Sequence, residues 1–518
     1  MRRQMLGDYI LNIIRKVNIA DDSRDVDWIK ETALPTLANF AYGEDAKCKP
    51  ALSTKTRTIF RTRLISSFGH LLSDLQGYTF PCDLLRSFTP DAVEMDQGIS
   101  DAKDSAIATV EKILKKAKKA SAKNEAPFQA LALLYSLVVF QLYNGEPEAV
   151  SILDELKLCY DKLIRHKDTE DSDVDASEVL VELLLSFISK PSALLRKVTQ
   201  HVFGAFMGDM TAGGLQLMTD VLESGESLRG QQELFDQEPE DGEDMDVDDE
   251  EEDSDVEVVD MDGDEGHLNG HLEQDEDEES EDENEEVSAD EEDEDAERLN
   301  LALAQALGTR LPGQEGDDAD EDSDADMTDS EMMQLDAKLV EIFSARKKAP
   351  NKKQEQKDAK ETMVNFKGRV LDLLEIYAKK QASNPLAFGL LLPLLQLIRT
   401  TKAKQLAEKA HNIILAFAKA SKSAKKDGVA EVNAPEQIKL LKAIHLEASK
   451  DPSHLFARAA SSASLLVASS LYRADKGSVK KISTVYRDSQ VAWVEGEVKM
   501  QAAFFVDWVN WCQSHANA

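Results

Sequence analysis

The chain has 518 residues, 42% of them hydrophobic and only 6% aromatic, and its 99 Asp and Glu against 60 Lys and Arg leave a net charge of −39. Four cysteines, Cys48, Cys82, Cys159 and Cys512, stand far apart with no CxxC pair, which excludes a disulfide framework or a cysteine-based zinc site and fits a reducing compartment. The opening MRRQMLGDYILNIIRK interleaves charges with apolar residues, unlike a signal peptide, and the most apolar run, Leu386–Ile398, is too short to span a bilayer; a soluble intracellular protein with no membrane partner is expected.

Taken in order, the first segment places Met5, Tyr9, Ile13 and Ile14 on one face of a helix. Its abrupt start is what a chain beginning inside a longer array would show. Trp28–Tyr42 reads as a second helix. Phe60, Leu64, Phe68, Leu71, Leu72 and Leu75 continue as a core-facing stripe. Residues 100–123 form a basic amphipathic helix with Lys112, Lys115, Lys116, Lys118 and Lys119. Pro127 then opens a helix that is apolar nearly all round, Phe128–Tyr143, as expected of an inner helix. Pro147 opens the next. Asp175 and Glu178 have capping-box spacing before Val179–Ile188, and Pro191 leads into a helix with Leu194, Leu195, Val198 and Phe203. Few alternating runs of β-branched residues occur, so few strands are expected.

The acidity is concentrated in one stretch. Between Asp236 and Ser330, 46 of 95 residues are Asp or Glu, while only Arg298 and Arg310 are basic, a net of −44; the rest of the chain sums to +5. Runs such as Asp248–Asp253 and Glu291–Asp295 bury no apolar area and repel themselves, so disorder is expected across the tract. It holds one apolar island, Leu299–Leu307, read as a transient helix or as one that orders on a partner. The expected organisation is a helical repeat block over 1–235, a disordered acidic tract over 236–330, and a second helical repeat block over 331–518 with a basic N-terminal segment.

In the second block, Leu335–Phe343 reads as helical, and the charge then inverts: Ile342–Lys426 carries 19 Lys and Arg against 6 Asp and Glu. Phe366, Val370, Leu373, Leu374 and Tyr377 make one stripe, and Leu406, Ala410, Ile413, Ile414 and Phe417 repeat its offsets 40 residues later. Between them Leu386–Ile398 enters through Pro385 and is expected to kink at Pro393. Two similar helices flanking a buried one suit HEAT- or armadillo-like stacking, so the fold class is all-α with helical repeat arrays interrupted by the acidic tract. Helices continue through Pro435–Leu446, Pro452–Tyr472 and a long C-terminal helix with Trp493, Trp508 and Trp511.

Catalytic motifs do not appear. GxxxxGK[ST], GxGxxG after a strand, HExxH and GxSxG are all missing from the sequence. His267 and His271 have metal-pair spacing but read as a solvated loop, and carboxylates in an acidic run hold divalent ions diffusely. No cofactor or metal is expected. Charge is the remaining signal. The run Arg346, Lys347, Lys348, Lys352, Lys353, Lys357 and Lys360, continuing to Lys367 and Arg369, reads as a nuclear localisation signal or a phosphate-backbone contact; a solvated basic linker is the plainer alternative. Ser254, Ser280, Ser288, Ser323 and Thr328 each precede an acidic residue by three positions, the preference of acidophilic kinases.

The stretch Ile342–Thr401 resembles the DNA polymerase phi / Myb-binding protein 1A family, including its fungal "fifth DNA polymerase" members. The matching features are the acidic tract, a Leu-rich helix ending in Phe343-x-x-Arg346-Lys347, the run Phe366–Glu375, and Asn384-Pro385 followed by Pro393-Leu-Leu. A weaker likeness lies around Thr56–Leu75. The resemblance implies a nucleolar helical-repeat protein tied to ribosomal DNA, rRNA transcription and ribosome assembly, with members about twice this length, so that the chain looks like a C-terminal half. Family-B polymerase motifs (Tyr-Gly-Asp-Thr-Asp-Ser and Ser-Leu-Tyr-Pro-Ser) are absent, so a non-enzymatic scaffold or regulator is expected. It would bind rDNA or rRNA and nucleolar proteins in the nucleus and nucleolus. The alternatives are an acidic chaperone for histones or ribosomal proteins, and a DNA-directed DNA polymerase.

Overall fold

The structure, a computed structural model, describes residues 2–17, 23–43, 51–73, 75–88, 90, 93–119, 125–146, 148–165, 175–235, 356–423 and 433–516. Among these every regular element is a helix, so the fold is all-α. The acidic tract Asp236–Ser330, its island Leu299–Leu307 and the helix expected over Leu335–Phe343 lie outside the described residues.

In chain order, α1 is Arg2–Lys16; α2, Ser23–Trp28, runs through a π-helical turn into α3, Leu34–Tyr42. Next come α4 (Thr54–Leu71), α5 (Thr79–Ser87), α6 (Gln97–Ala117) and α7 (Glu125–Asn144). They are followed by α8 (Ala149–Cys159), α9 (Ala176–Ser189), α10 (Ala193–Phe206), α11 (Ala212–Glu223) and α12 (Leu228–Phe235). Helix α13 covers 356–380. A 3-10 turn, Pro385–Leu390, leads into α14 (Leu391–Thr400); then α15 is Lys404–Ser423, α16 Ala434–Ala448, α17 His454–Ala474, α18 Val479–Val494 and α19 Ala502–His515.

Local chemistry explains most boundaries. Ser53 caps α4, its hydroxyl accepting from the Thr56 N–H at 3.2 Å, and Phe60, Leu64, Phe68 and Leu71 then turn inward as their spacing requires. Leu75 leaves that stripe, because α4 ends at Leu71 and Leu75 sits in a separate, half-exposed 3-10 turn. Asp175 caps α9 by accepting from the Ser177 N–H at 2.8 Å. Its expected partner Glu178 points instead toward Gly213, where an added Cβ would collide with the carboxylate.

Helix α7 is the centre of the N-terminal part. Fourteen of its 20 residues are buried, and α5, α6, α8 and α10 pack around it. By length and composition alone it could cross a membrane, but 78% of its most apolar window is buried within the protein. It ends where Gly145 takes φ +84°, a left-handed conformation that suits glycine.

Met1–Leu234 and Lys360–Ala518 belong to one compact unit. Helix α11 packs on α14, and the Phe203 and Tyr377 rings meet at 6.4 Å. The stripes Phe366–Tyr377 and Leu406–Phe417 are buried; the first meets the N-terminal stretch through Tyr377, and the helix of the second packs on α14 and α17.

Three local expectations are corrected. On α1 the buried face is Ile10, Leu11 and Ile14, while Met5, Tyr9 and Ile13 are 49%, 63% and 47% exposed; the helix is apolar on more than one side, and its contact with α4 selects the face. The break near Pro393 falls earlier, at the 3-10 to α transition between Leu390 and Leu391. Pro393 lies in the first turn of α14, where a missing N–H loses no helical bond. The C-terminal tryptophans occupy two helices, since Gly496 at φ +80° separates Trp493 on α18 from Trp508 and Trp511 on α19.

Candidate nucleic-acid interface

The sequence-predicted basic run divides into three. Arg346, Lys347, Lys348, Lys352 and Lys353 lie outside the described residues, as do Ser254, Ser280, Ser288, Ser323, Thr328, His267 and His271. Lys357 and Lys360 are exposed near the start of α13, where phosphate could reach them. Lys367 and Arg369 are different and leave the candidate set.

Lys367 is buried, its side chain only 3% exposed. Its Nζ donates to the Ser224 carbonyl at 2.7 Å and lies 3.4 Å from Glu226 Oε1. Burial holds its pKa below the usual lysine value, and Glu226 opposes that shift. The Arg369 Nη1 donates to the carbonyls of Ile188 at 2.7 Å and Lys190 at 3.0 Å, with Ser189 at 3.4 Å. Those carbonyls lie at the C-terminal end of α9, that of Lys190 also accepting from the Ser192 N–H at 2.8 Å, and a guanidinium there opposes the negative end of the helix. Both cations are therefore internal fasteners between sequence-distant helices.

Helix α6 offers a second basic face. Ala106, Val110, Ile113 and Ala117 are buried at helical spacing, which leaves Lys112, Lys115, Lys116, Lys118 and Lys119 exposed. Lys115 has Glu111 at 3.6 Å and Lys116 lies 5.2 Å from the Tyr160 ring centre. Exposed lysines of this kind attract a phosphate backbone as point charges without reading base sequence.

Sequence reasoning missed the His445 network. His445 is 4% exposed; its Nδ1 meets Ser489 Oγ at 2.8 Å and its Nε2 meets Ser464 Oγ at 2.9 Å, and Ser464 in turn pairs with the Tyr486 hydroxyl at 2.6 Å. Burial pushes the imidazole pKa down to about 3. With both ring nitrogens occupied and Ser464 fully buried, this is a core polar network. Among the described residues no group of three or more His, Cys, Asp and Glu is placed to hold a metal.

The described residues thus present an all-helical body with exposed lysines along α6 and at the start of α13. The chain belongs to the DNA polymerase phi family, whose sequence profile matches residues 1–378. It is 30% identical to the "rDNA transcriptional regulator POL5" of Saccharomyces cerevisiae over 477 residues, covering 83% of this chain and 44% of that protein. The "Myb-binding protein 1A-like protein" of Danio rerio is 40% identical over 341 residues, 61% of this chain and 25% of that protein. The pol5 regulator of Schizosaccharomyces pombe is 30% identical over 258 residues, 45% of this chain and 26% of that protein. The chain thus spans less than half the length of these relatives. No solved structure matches it significantly.

Proposed function

We propose that the chain is a non-enzymatic nucleolar scaffold that regulates rDNA transcription and takes part in ribosome biogenesis, binding rDNA or rRNA and protein partners. The carrying observation is the relatives' own description as rDNA transcriptional regulators, combined with family membership over residues 1–378. Stacked helical repeats would supply the protein-binding surfaces, and the exposed lysines of α6 and of the start of α13 would supply phosphate contacts. Crosslinking of the tagged chain in cells, with sequencing of the recovered RNA and chromatin, tests this: rRNA or rDNA should be enriched, and enrichment of neither rejects it. Purified chain should also fail to extend a primed DNA template; extension would restore the polymerase reading.

A second reading rests on the −44 of Asp236–Ser330. Such a polyanion can shield histones or ribosomal proteins, whose charge is opposite. Retained binding of those proteins by a tract peptide supports the chaperone role, and no binding removes it.

The same tract can regulate nucleic-acid binding. It is joined directly to the basic segment Ile342–Lys426, and a short tether gives an effective concentration of roughly millimolar. Nucleic acid would then compete with the tract for the cations of that segment other than the internally bonded Lys367 and Arg369. Phosphorylation at Ser254, Ser280, Ser288, Ser323 or Thr328 would strengthen the competition by adding about 1.5 to 2 negative charges each.

A further inference from the structure

Four helix ends meet where α17 gives way to α18. Helix α17 packs against α15 and α19. In its last turn the Arg473 Nη1 donates to the Ser421 carbonyl, near the end of α15, at 2.9 Å. Further along, Ser461 Oγ donates to Asp507 at 2.6 Å, Ser469 Oγ accepts from the Trp511 indole at 2.8 Å, and the Tyr472 and His515 rings meet at 5.2 Å. Helix α19 therefore runs parallel to α17, and the two finish together. Asp475 and the 3-10 turn Lys476–Ser478 then lead directly into α18. The C-terminal ends of α15, α17 and α19 thus adjoin the N-terminal end of α18.

The charge at this junction has one sign. Lys422, Arg473, Lys476, Lys480 and Lys481 are all exposed. Helix α17 contains no Asp or Glu, α15 has none after Glu408, α18 none before Asp488 and α19 none after Asp507. Among the described residues that leaves Asp475, whose carboxylate accepts from the Gly477 N–H at 2.8 Å. Cations at the C-terminal ends of α15 and α17 oppose the helix dipole, a sufficient use for Lys422 and Arg473. The same reasoning runs against Lys476, Lys480 and Lys481. They stand at the N-terminal end of α18, where the dipole is positive and carboxylates are the stabilising residues. Its first turn has no acid, and Ser478 supplies no side-chain cap. Three lysines set where they weaken the helix need another use.

Beside these lysines a column of rings approaches the surface. Tyr486 stacks on Trp508 at 4.1 Å, Trp508 on Trp511 at 5.0 Å and Trp511 on His515 at 4.2 Å, with interplanar angles of 10°, 13° and 23°. The column starts at the buried Tyr486 and ends at the half-buried His515. The His515 Nδ1 lies 2.8 Å from the Trp511 carbonyl, which holds the imidazole in place. Tyr472 is 5.4 Å from Trp511 and 5.2 Å from His515, nearly perpendicular to both. It therefore flanks the pair and does not cover the outer face of His515.

We propose that this junction binds single-stranded nucleic acid, with Lys422, Lys476, Lys480 and Lys481 on its phosphates and a base stacked on His515 as the next ring of the column. Cations beside a stacking platform suit a single strand, because an unpaired base offers its face while a duplex keeps its bases stacked inside. The inference rests on the nucleic-acid reading under Proposed function and adds a site separate from α6 and α13.

The test uses the whole chain in four variants. One combines Lys422→Gln, Lys476→Gln, Lys480→Gln and Lys481→Gln, and its charge-keeping control carries Arg at the same positions. The others are His515→Ala and His515→Phe. Binding of a labelled single-stranded RNA, a single-stranded DNA of the same sequence and a duplex DNA is measured from about 50 to 200 mM salt, with thermal melting to follow the fold. Each lost phosphate contact should flatten the single-strand salt slope by about 0.7, so the Gln variant should lose roughly two to three units of slope and at least about tenfold in low-salt affinity. The Arg control should bind like the parent. His515→Ala should weaken single strands about fivefold and leave the duplex unchanged, and His515→Phe should restore them. A preference for the RNA or the DNA strand assigns the sugar, and either outcome supports the site. If the parent binds single strands and the Gln variant equals it, this site is wrong while the wider reading stands. If the parent binds no probe, the wider reading falls and takes this site with it. Single-strand binding untouched by His515→Ala also overturns the proposal, reducing the junction to a backbone contact without a stacked base.

Discussion

Lys367 and Ser224 stand 143 positions apart, yet the lysine ammonium donates to the serine carbonyl at 2.7 Å. The acidic tract lies between them in the chain, so this bond joins the two stretches that flank it. The chain leaves the compact unit at Leu234 and returns at Lys360. A nick in Asp236–Ser330 should therefore leave two fragments that travel together through native size exclusion and part only in denaturant. Separation in native buffer would contradict the single unit.

Arg369 makes the neighbouring fastening, with its Nη1 on the Ile188 and Lys190 carbonyls. Arg369→Met removes a charged donor and leaves helix-end carbonyls without it, an expected loss of about 2–3 kcal/mol. Arg369→Lys should recover part of that. Urea midpoints of the three proteins, at constant m-value, measure both effects; an unchanged midpoint for Arg369→Met would show that the contact contributes nothing.

His445 sets a pH dependence. Its folded pKa of about 3 lies below the unfolded value of 6.5, so in that window the unfolded chain binds more protons. Stability therefore rises with pH across the window and falls on acidification. From pH 6.5 to about 5 this one group should withdraw about 2 kcal/mol. His445→Gln should be less stable near neutrality, because the bonds to Ser464 and Ser489 are disturbed, yet should show a shallower acid slope. Parallel pH curves for the two proteins would contradict a buried neutral imidazole.

Much of the core was legible because helical period alone decides which side of a half-apolar helix is buried. Phe366, Val370, Leu373, Leu374 and Tyr377 all turn inward, as do the residues at the same offsets in α15. On α1, Met5, Tyr9 and Ile13 are as apolar as Ile10 and Ile14, so only the approach of α4 separates them. Lys367 and Arg369 read as surface cations because their acceptors lie 143 and 181 positions away. The break at Gly496 did leave a signal: a glycine just beyond Glu495 is a common left-handed helix end.

Localisation follows from the basic run ahead of α13. We expect nuclear and nucleolar accumulation that depends on Arg346, Lys347, Lys348, Lys352 and Lys353, since clustered cations are what import receptors read. Replacing all five with alanine in a tagged chain should shift it toward the cytoplasm under the microscope. Undiminished nuclear signal would assign import to another segment.

The most direct test of a nucleic-acid-binding regulator held in check by its own acidic tract is to remove that tract. Because its flanks belong to one compact unit, a chain lacking Asp236–Ser330 keeps the folded body to be measured. Binding of duplex DNA and structured RNA is followed for the intact and shortened chains across a salt series. The account predicts tighter binding and a steeper salt slope after deletion, with the largest difference at low salt, where exposed charges are least screened. Equal affinity in the two chains, or weaker binding after deletion, would contradict it.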